Sequence, residues 1–380
     1  MSRIYLDNAA TSWPKPETVY TAMDVFAREC GAASGRGAYS SAIESAKVVA
    51  AARTGVARMI GVSDPNRIVF TANGTAALNL AIHGLLRPGD HVVTTVCEHN
   101  SVLRPLHAAV QRLGCVVDFA PCDAQGHVTT ADILALVTPT TRLVVMTHAS
   151  NVTGAILPIA EVAAALRSSP TLLLVDAAQT VGRLPLDAES HGLDLIAAPG
   201  HKGLLGPTGT GFLYIEPGLE AELTPIWQGG VGSASDDPEM PATMPERYEA
   251  GSLAVTPIAG LADGIAYIEH EGRKVLCEHV CTVTAQLAAG LTGLPKVKLL
   301  GPPPHALRAG VVSFTLEGYD AHDVAVALDA SFGIEVRSGL HCAARIHAAL
   351  GAPEGSVRMS PGCFTTEAEI EATIAAVASL

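Results

Sequence analysis

The run Leu172-Leu173-Leu174-Val175-Asp176-Ala177-Ala178-Gln179, followed one connection and one strand later by Gly200-His201-Lys202, decides how this chain is read. Consecutive apolar residues of this kind suit a strand buried on both faces. The aspartate stands at its carboxyl end, where open α/β sheets place ligands. Outward from that strand, comparable runs recur at residues 67–71, 91–95, 115–119, 142–147, 171–176, 194–198 and 211–215. Helix-length segments such as 75–86, 102–112 and 159–167 separate most of them. The alternation predicts an α/β fold: a large domain with a mostly parallel seven-stranded sheet covered on both faces.

Residues 228–245 break the rhythm with Gly, Ser, Asp and Pro, and read as an irregular loop or hairpin. Helical stretches follow at 257–270 and 274–291, then shorter strands at 297–300, 311–316, 334–337 and 357–360. A last helix over 366–377 is capped by Thr365 or Thr366 ahead of acidic residues. This block predicts a smaller α+β domain. The expected division is a large domain over 16–256, with 1–15 and 257–380 in the small one.

At 380 residues the chain can bury a large core, and with 4% aromatic residues that core must be aliphatic. A net charge of −13 argues against a general nucleic-acid binder, which needs concentrated Lys and Arg. No uncharged apolar stretch approaches the roughly 20 residues of a membrane span. The N-terminus lacks the apolar segment of a secretory signal. The eight cysteines, at 30, 97, 115, 122, 277, 281, 342 and 363, form no CxxC pair and read as reduced thiols. The expected address is the cytoplasm. Cys277 and Cys281, four apart on a helix, are expected to face the core or a neighbouring helix.

The chemistry starts from Lys202. Its glycine neighbours let a bulky ring approach the backbone, and its amine can hold an aldehyde as a Schiff base. Asp176 can pair with a pyridine nitrogen and keep it protonated, which makes the ring an electron sink. Together they point to pyridoxal phosphate (PLP). Taken singly, Lys202 reads as a surface lysine in a turn. Asp176 with Gln179 reads equally as a helix N-cap with a capping box. Ala72-Asn73-Gly74-Thr75, between a strand and a helix, offers amides to a phosphate or is an ordinary N-cap. Gly206-Pro207-Thr208-Gly209-Thr210-Gly211 precedes a strand, so it is a tight turn and not a phosphate loop. His99 follows a strand end and can stack on a flat ring and relay protons, or be structural. Cys342, beside His341 and near Arg337, is a reactive thiol or a small buried hydrophobe. A zinc set of His341, Cys342, His347 and Cys363 lacks standard spacing, so no metal is expected. Arg358 is a fork for a substrate carboxylate or a surface strand residue.

Together these segments resemble the class V aminotransferase family, and within it the group II cysteine desulfurases. The resemblance runs nearly end to end through Tyr5-Leu6-Asp7-Asn8-Ala9-Ala10-Thr11, Gly35-Arg36-Gly37, Glu98-His99-Asn100-Ser101-Val102, Ser150-Asn151-Val152-Thr153-Gly154, Val175–Gln179, Gly200-His201-Lys202 and Arg337-Ser338-Gly339-Leu340-His341-Cys342-Ala343. It implies a PLP-dependent transferase of fold type I, a homodimer with the active site at the subunit interface. Lys202 would carry the imine, Asp176 and Gln179 the ring, and His99 the stack. Gly74, Thr75, His201 and a partner-donated Ser252 would hold the phosphate, and Asn151, Arg358, Arg36 and Asn8 the substrate. Cys342 would take sulfur from L-cysteine as a persulfide, leaving alanine, and pass it to a sulfur-acceptor protein, as in iron–sulfur cluster assembly. Alternatives within the same chemistry are a selenocysteine lyase or a C–S lyase on another cysteine derivative. A third is a PLP-binding sulfur-relay protein with little turnover.

Four departures from the family pattern stand out. Pro199 replaces a hydroxyl residue before Gly-His-Lys, a loss worth roughly 1.5–3 kcal/mol of PLP binding unless another group substitutes. Ala76 stands where a glutamate often follows the phosphate threonine. Tyr39 replaces a histidine, and Ser252-Leu253-Ala254 replaces Thr-Pro-Asn.

Overall fold

Thirteen short strands carry the architecture of the computed structural model, which describes residues 3–35, 37–233 and 236–380. In chain order they are β1 (Ile4–Tyr5), β2 (Ile68–Thr71), β3 (His91–Thr95), β4 (Val116–Ala120), β5 (Thr141–Thr147), β6 (Leu172–Asp176), β7 (Leu195–Pro199), β8 (Gly211–Ile215), β9 (Val297–Leu300), β10 (Val312–Leu316), β11 (Ile334–Glu335), β12 (Arg337–Gly339) and β13 (Ser356–Met359). Seven form one sheet in the order β2-β8-β7-β6-β5-β3-β4. Only β8 runs against its neighbours β2 and β7, so the mostly parallel seven-stranded α/β sheet is as expected.

Alternation along each strand explains why both faces are dry. Leu173 and Val175 of β6 join Val144, Met146, Ile196 and Phe212 in one core. Leu174 joins Val145, Leu143, Leu195 and Leu213 in the other. Period-two side chains that are apolar on both faces need helices above and below.

A second, antiparallel sheet has the order β12-β13-β10-β9, and β1 pairs in parallel with β11. Its core collects Ile4 and Leu6 with Phe314, Leu328, Val357 and Ile370. The single strand expected over 334–337 is two: the chain leaves β1 after Glu335 and pairs with β13 from Arg337 onward. Thr366 caps the final helix, Glu367–Ala378, in a capping box with Glu369. The helix Arg273–Thr292 has the length and hydropathy (1.2) to cross a membrane by composition alone. It nevertheless carries Arg273, Lys274 and Glu278, and lays Val283, Leu287, Ala288 and Leu291 into that second core.

One close approach positions the cleft. A Cβ on Gly211, at the start of β8, would lie 2.5 Å from the Asn73 carbonyl carbon and 2.7 Å from its Cα. Glycine therefore lets β8 pass beneath the turn that opens the helix Gly74–Leu85. Gly211→Ala is expected to destabilise the fold by about 1–3 kcal/mol through overpacking and to weaken PLP binding with it. Thermal unfolding and PLP titration check this, and wild-type values in both would contradict it.

Candidate active site

The chain order reverses beside β3. β4 lies outside it, whereas β5, β6 and β7 follow on its other side. A crevice at such a reversal, at the carboxyl ends of the strands, is where α/β sheets bind ligands. Here the ladder between β3 and β5 stops at Val93 opposite Val144, although the strands continue to Thr95 and Thr147. Glu98, fully buried, closes the gap. Its Oε1 accepts from the Thr95 hydroxyl at 2.6 Å and from the Thr147 N–H at 3.0 Å. Burial pushes its carboxyl up to about 8, against those two hydrogen bonds and with the help of nearby Asp176. Sequence reading gave Glu98 no role; its one signal was an acid directly after a buried strand.

The cleft at this edge holds about 520 Å³ of free space. Its walls bring together Gly74, Thr75, His99, Asn151, Asp176, Gln179, His201 and Lys202 from five separate connections. Lys202 opens to the cleft and is otherwise enclosed. Burial lowers its amine to about 8, opposed by the attraction of Asp176 and reinforced by Arg358, Arg183 and Arg337. Asp176 is raised by burial, while the Ala178 N–H and Lys202 favour its charged form. The helix N-cap expected as the alternative for Asp176 is absent: no helix starts there, and the chain turns on Thr180 and Val181 N–H bonds to Ala177. Asp176 Oδ1 accepts from Ala178 N–H at 2.9 Å. Gln179 donates from Nε2 to the Ala9 carbonyl at 3.1 Å, so it completes no capping box.

His99 caps the helix Asn100–Leu113. The Ser101 N–H donates to His99 Nδ1 at 3.0 Å, which fixes that nitrogen as the acceptor and leaves the proton on Nε2. Burial and the Lys202 charge lower this imidazole to about 4, so it is neutral at pH 7. The Ser101 hydroxyl lies 2.9 Å from the same nitrogen and 2.7 Å from Thr75 Oγ1. Two helix N-termini, at Gly74 and Asn100, thus meet with a pair of hydroxyls between them, a natural anion seat. Ser101 was not recognised as a site residue from sequence. Pro199, where a hydroxyl was expected to be lost, packs its ring against Gly74. Asn73 Oδ1 accepts from Ala76 N–H at 2.9 Å, so Ala76 costs that helix no cap.

Cys342 lies at the mouth. It lines a groove of about 1020 Å³ that shares Thr75, His99 and Ser101 with the cleft. Arg337 Nη2 donates toward its sulfur at 3.6 Å. His341 and Cys342 both take left-handed backbone, at φ 49° and 59°. Such geometry costs non-glycine residues about 1–3 kcal/mol each. The Asn100 N–H holds the Cys342 carbonyl at 2.7 Å, and Asn151 Nδ2 holds the His341 carbonyl at 2.8 Å. The alternative of a buried hydrophobic cysteine does not fit. Nor do the zinc residues converge: His341 and His347 share the Ser356 hydroxyl, while Cys363 lines a different cavity with Arg183.

Other expected contacts are differently engaged. Arg358 is no surface residue; it is buried, with Nη2 on Asp7 Oδ1 at 2.7 Å and Nη1 on the Asn151 carbonyl at 3.1 Å. Its charge bears on Lys202 and His99, but its fork already holds a carboxylate. Asn8 does not line the cleft. Its amide donates to the Ser360 carbonyl at 3.0 Å, and its oxygen accepts from the Trp13 N–H at 3.1 Å, because it ties the N-terminal segment to β13's exit. Ser252 is exposed and outside its own chain's cleft. Arg36 lies outside the described residues.

The donor set fits PLP. A lysine amine and a buried carboxylate face one cleft beside an anion seat, and Gln179 Oε1 and His201 Nδ1 are buried there without a partner among the described residues. In the cofactor-free protein, acetic anhydride should modify Lys202 with a pH midpoint near 8, below the ordinary lysine range. Peptide mass mapping across pH 6–11 reads this out; a Lys202 midpoint at the ordinary lysine value of about 10.4 would contradict it.

Residues 4–373 match the family model described as aminotransferase class-V. A probable cysteine desulfurase of Methanothermobacter thermautotrophicus is 38% identical over 373 residues, covering 97% of this chain and 92% of the relative. The apo structure of the cysteine desulfurase from Thermococcus onnurineus NA1 superposes with a TM-score of 0.93 at 33% identity, over 99% of this chain and 94% of that one. A C-DES variant with glycine covalently linked to its PLP cofactor superposes with a TM-score of 0.86 at 27% identity, over 100% of this chain and 97% of that one. With that match running almost from end to end, around this cleft and on this fold, the chain belongs to the class-V aminotransferase family.

Proposed function

We propose that this chain is a PLP-dependent cysteine desulfurase that converts L-cysteine to L-alanine and loads the sulfur on Cys342. The observation that carries this reading is the continuity of the Cys342 groove with the Lys202–Asp176 cleft through Thr75, His99 and Ser101. The curated relatives and solved neighbours named cysteine desulfurases support it.

When bound, PLP supplies an aldehyde for Lys202 and an electron sink for the substrate's Cα. Asp176 would hold its ring nitrogen, Gln179 the ring, and Gly74, Thr75, Ser101 and His201 the phosphate. Lys202, with its amine lowered to about 8, is deprotonated readily enough near neutrality to take the Cα proton. His99 would cover the ring with a neutral imidazole and offer its Nε2 proton. Cys342 Sγ attacks the substrate sulfur. The sulfur–sulfur bond forms as the substrate's carbon–sulfur bond breaks, with its electron pair passing to carbon. Asn151 fixes the loop that aims Cys342, and Arg337 places a cation beside the sulfur. The substrate carboxylate would take the place of Asp7 on the Arg358 guanidinium.

The exposure of Ser252 supports delivery to a second copy's cleft, hence a homodimer. The eight free cysteines support a reducing compartment, the cytoplasm. The PLP-loaded protein, L-cysteine and a reductant should give alanine and sulfide in equal amounts, and Cys342→Ala should lose about 100-fold or more in rate. Pyruvate with sulfide, or unchanged alanine formation by Cys342→Ala, would overturn the mechanism.

A further inference from the structure

The groove beyond Cys342 is built from two helix faces. Gly74–Leu85 and Asn100–Leu113 start together where the Thr75 and Ser101 hydroxyls meet at 2.7 Å, and run away from the cleft side by side. One wall carries Thr75, Asn79 and His83, the other Arg104, Ala108 and Arg112. Each set is spaced by four residues, so each is one stripe of its helix. Among the described residues, no carboxylate lines the groove.

The chain's net charge is −13. Exposed Arg3, Arg28 and Arg58 pair with Glu335, Asp24 and Glu269, whereas exposed Arg87, Arg167 and Arg345 pair with no acid among the described residues, so what marks the groove is two arginines in one stripe with no carboxylate beside them. Arg104 and Arg112 are exposed and have no hydrogen-bond or ion-pair partner among the described residues. Arg337, beside the Cys342 sulfur, extends the same sign to the reacting end. A local row of cations on an acidic protein attracts an acidic partner.

We propose, on the basis of the desulfurase reading, that this groove docks an acidic segment of a thiol-bearing acceptor protein, with the segment lying along Arg104 and Arg112 and its cysteine at Cys342. Eight residues of helix separate the two arginines by about 12 Å, the reach of about four residues of extended chain. The acceptor therefore carries carboxylates within a few residues of its cysteine. Transfer balances without an external reagent. The acceptor thiolate attacks the outer sulfur of the Cys342 persulfide, and the bond to Sγ breaks with its electron pair left on Cys342. The acceptor becomes the persulfide, and no net oxidation occurs.

The test uses the PLP-loaded protein and three short peptides, each with one cysteine, flanked by Asp/Glu, by Ser/Gly or by Lys. Cys→Ser versions of the peptides carry a fluorophore for anisotropy. The acidic peptide is expected to bind about tenfold or more tightly than the neutral one at low salt, and to lose that advantage above about 0.5 M salt. The R104E/R112E variant should abolish the preference, while its alanine formation with a small reductant stays within about twofold of wild type. Equal binding of acidic and basic peptides would overturn the docking site. So would conversion of R104E/R112E from dimer to monomer in sedimentation, which would give the groove to a second copy of this chain. Failure of alanine formation in the wild type strikes the desulfurase reading instead, and the anisotropy arm still decides the docking.

Discussion

The site depends on a gap in the sheet. β3 and β5 are neighbours, yet their backbone pairing ends before their carboxyl ends, and a single buried carboxyl, Glu98, takes over the hydrogen bonding that the ladder gives up. Full pairing to the ends would leave no crevice, and an unfilled gap would leave the Thr147 N–H buried and unpaired, at about 1–3 kcal/mol. With Glu98 in place the two strand exits stay apart but fixed. His99 leaves from one, Asn151 from the other, and Asp176 lies directly across from Thr147 in the next strand. The geometry of the cleft follows from that one substitution of side chain for backbone.

Desolvation sets the protonation states inside. It raises Glu98 and Asp176 and lowers Lys202, His99 and His201, favouring the neutral form of each. The Lys202–Asp176 attraction opposes it for both partners, so this pair keeps charge where its neighbours lose it. His99 is neutral for two reinforcing reasons: burial beside Lys202, and an Nδ1 committed to a helix N-terminus, where a positive ring is unfavourable. A cleft with a poised amine, one carboxylate and neutral imidazoles can move a proton at carbon without competing charges.

Most of this was legible because it is local. β3 and β8 stand at the residues their apolar runs mark, and β6 and β7 lie within one residue of theirs, since period-two burial leaves little freedom. The lysine, its aspartate and the His99 segment each follow a strand, so their meeting at one sheet edge follows from the fold class. What sequence could not show depends on distant partners. The 334–337 run changes neighbours midway, and no residue in it announces that. Asn8 and Arg358 have residue types suited to a substrate, but Ser360, Trp13 and Asp7 already occupy them. Ser101 meets Thr75 from another helix, a contact that only the packing of two N-termini reveals.

The central claim is that the crevice opened by Glu98 is a PLP site anchored on Lys202. Borohydride reduction of the PLP-loaded protein, followed by peptide mapping, tests it most directly. The account predicts one pyridoxyl group, on Lys202. A group on Lys15, Lys47, Lys274, Lys296 or Lys298, or none on any lysine, would contradict it.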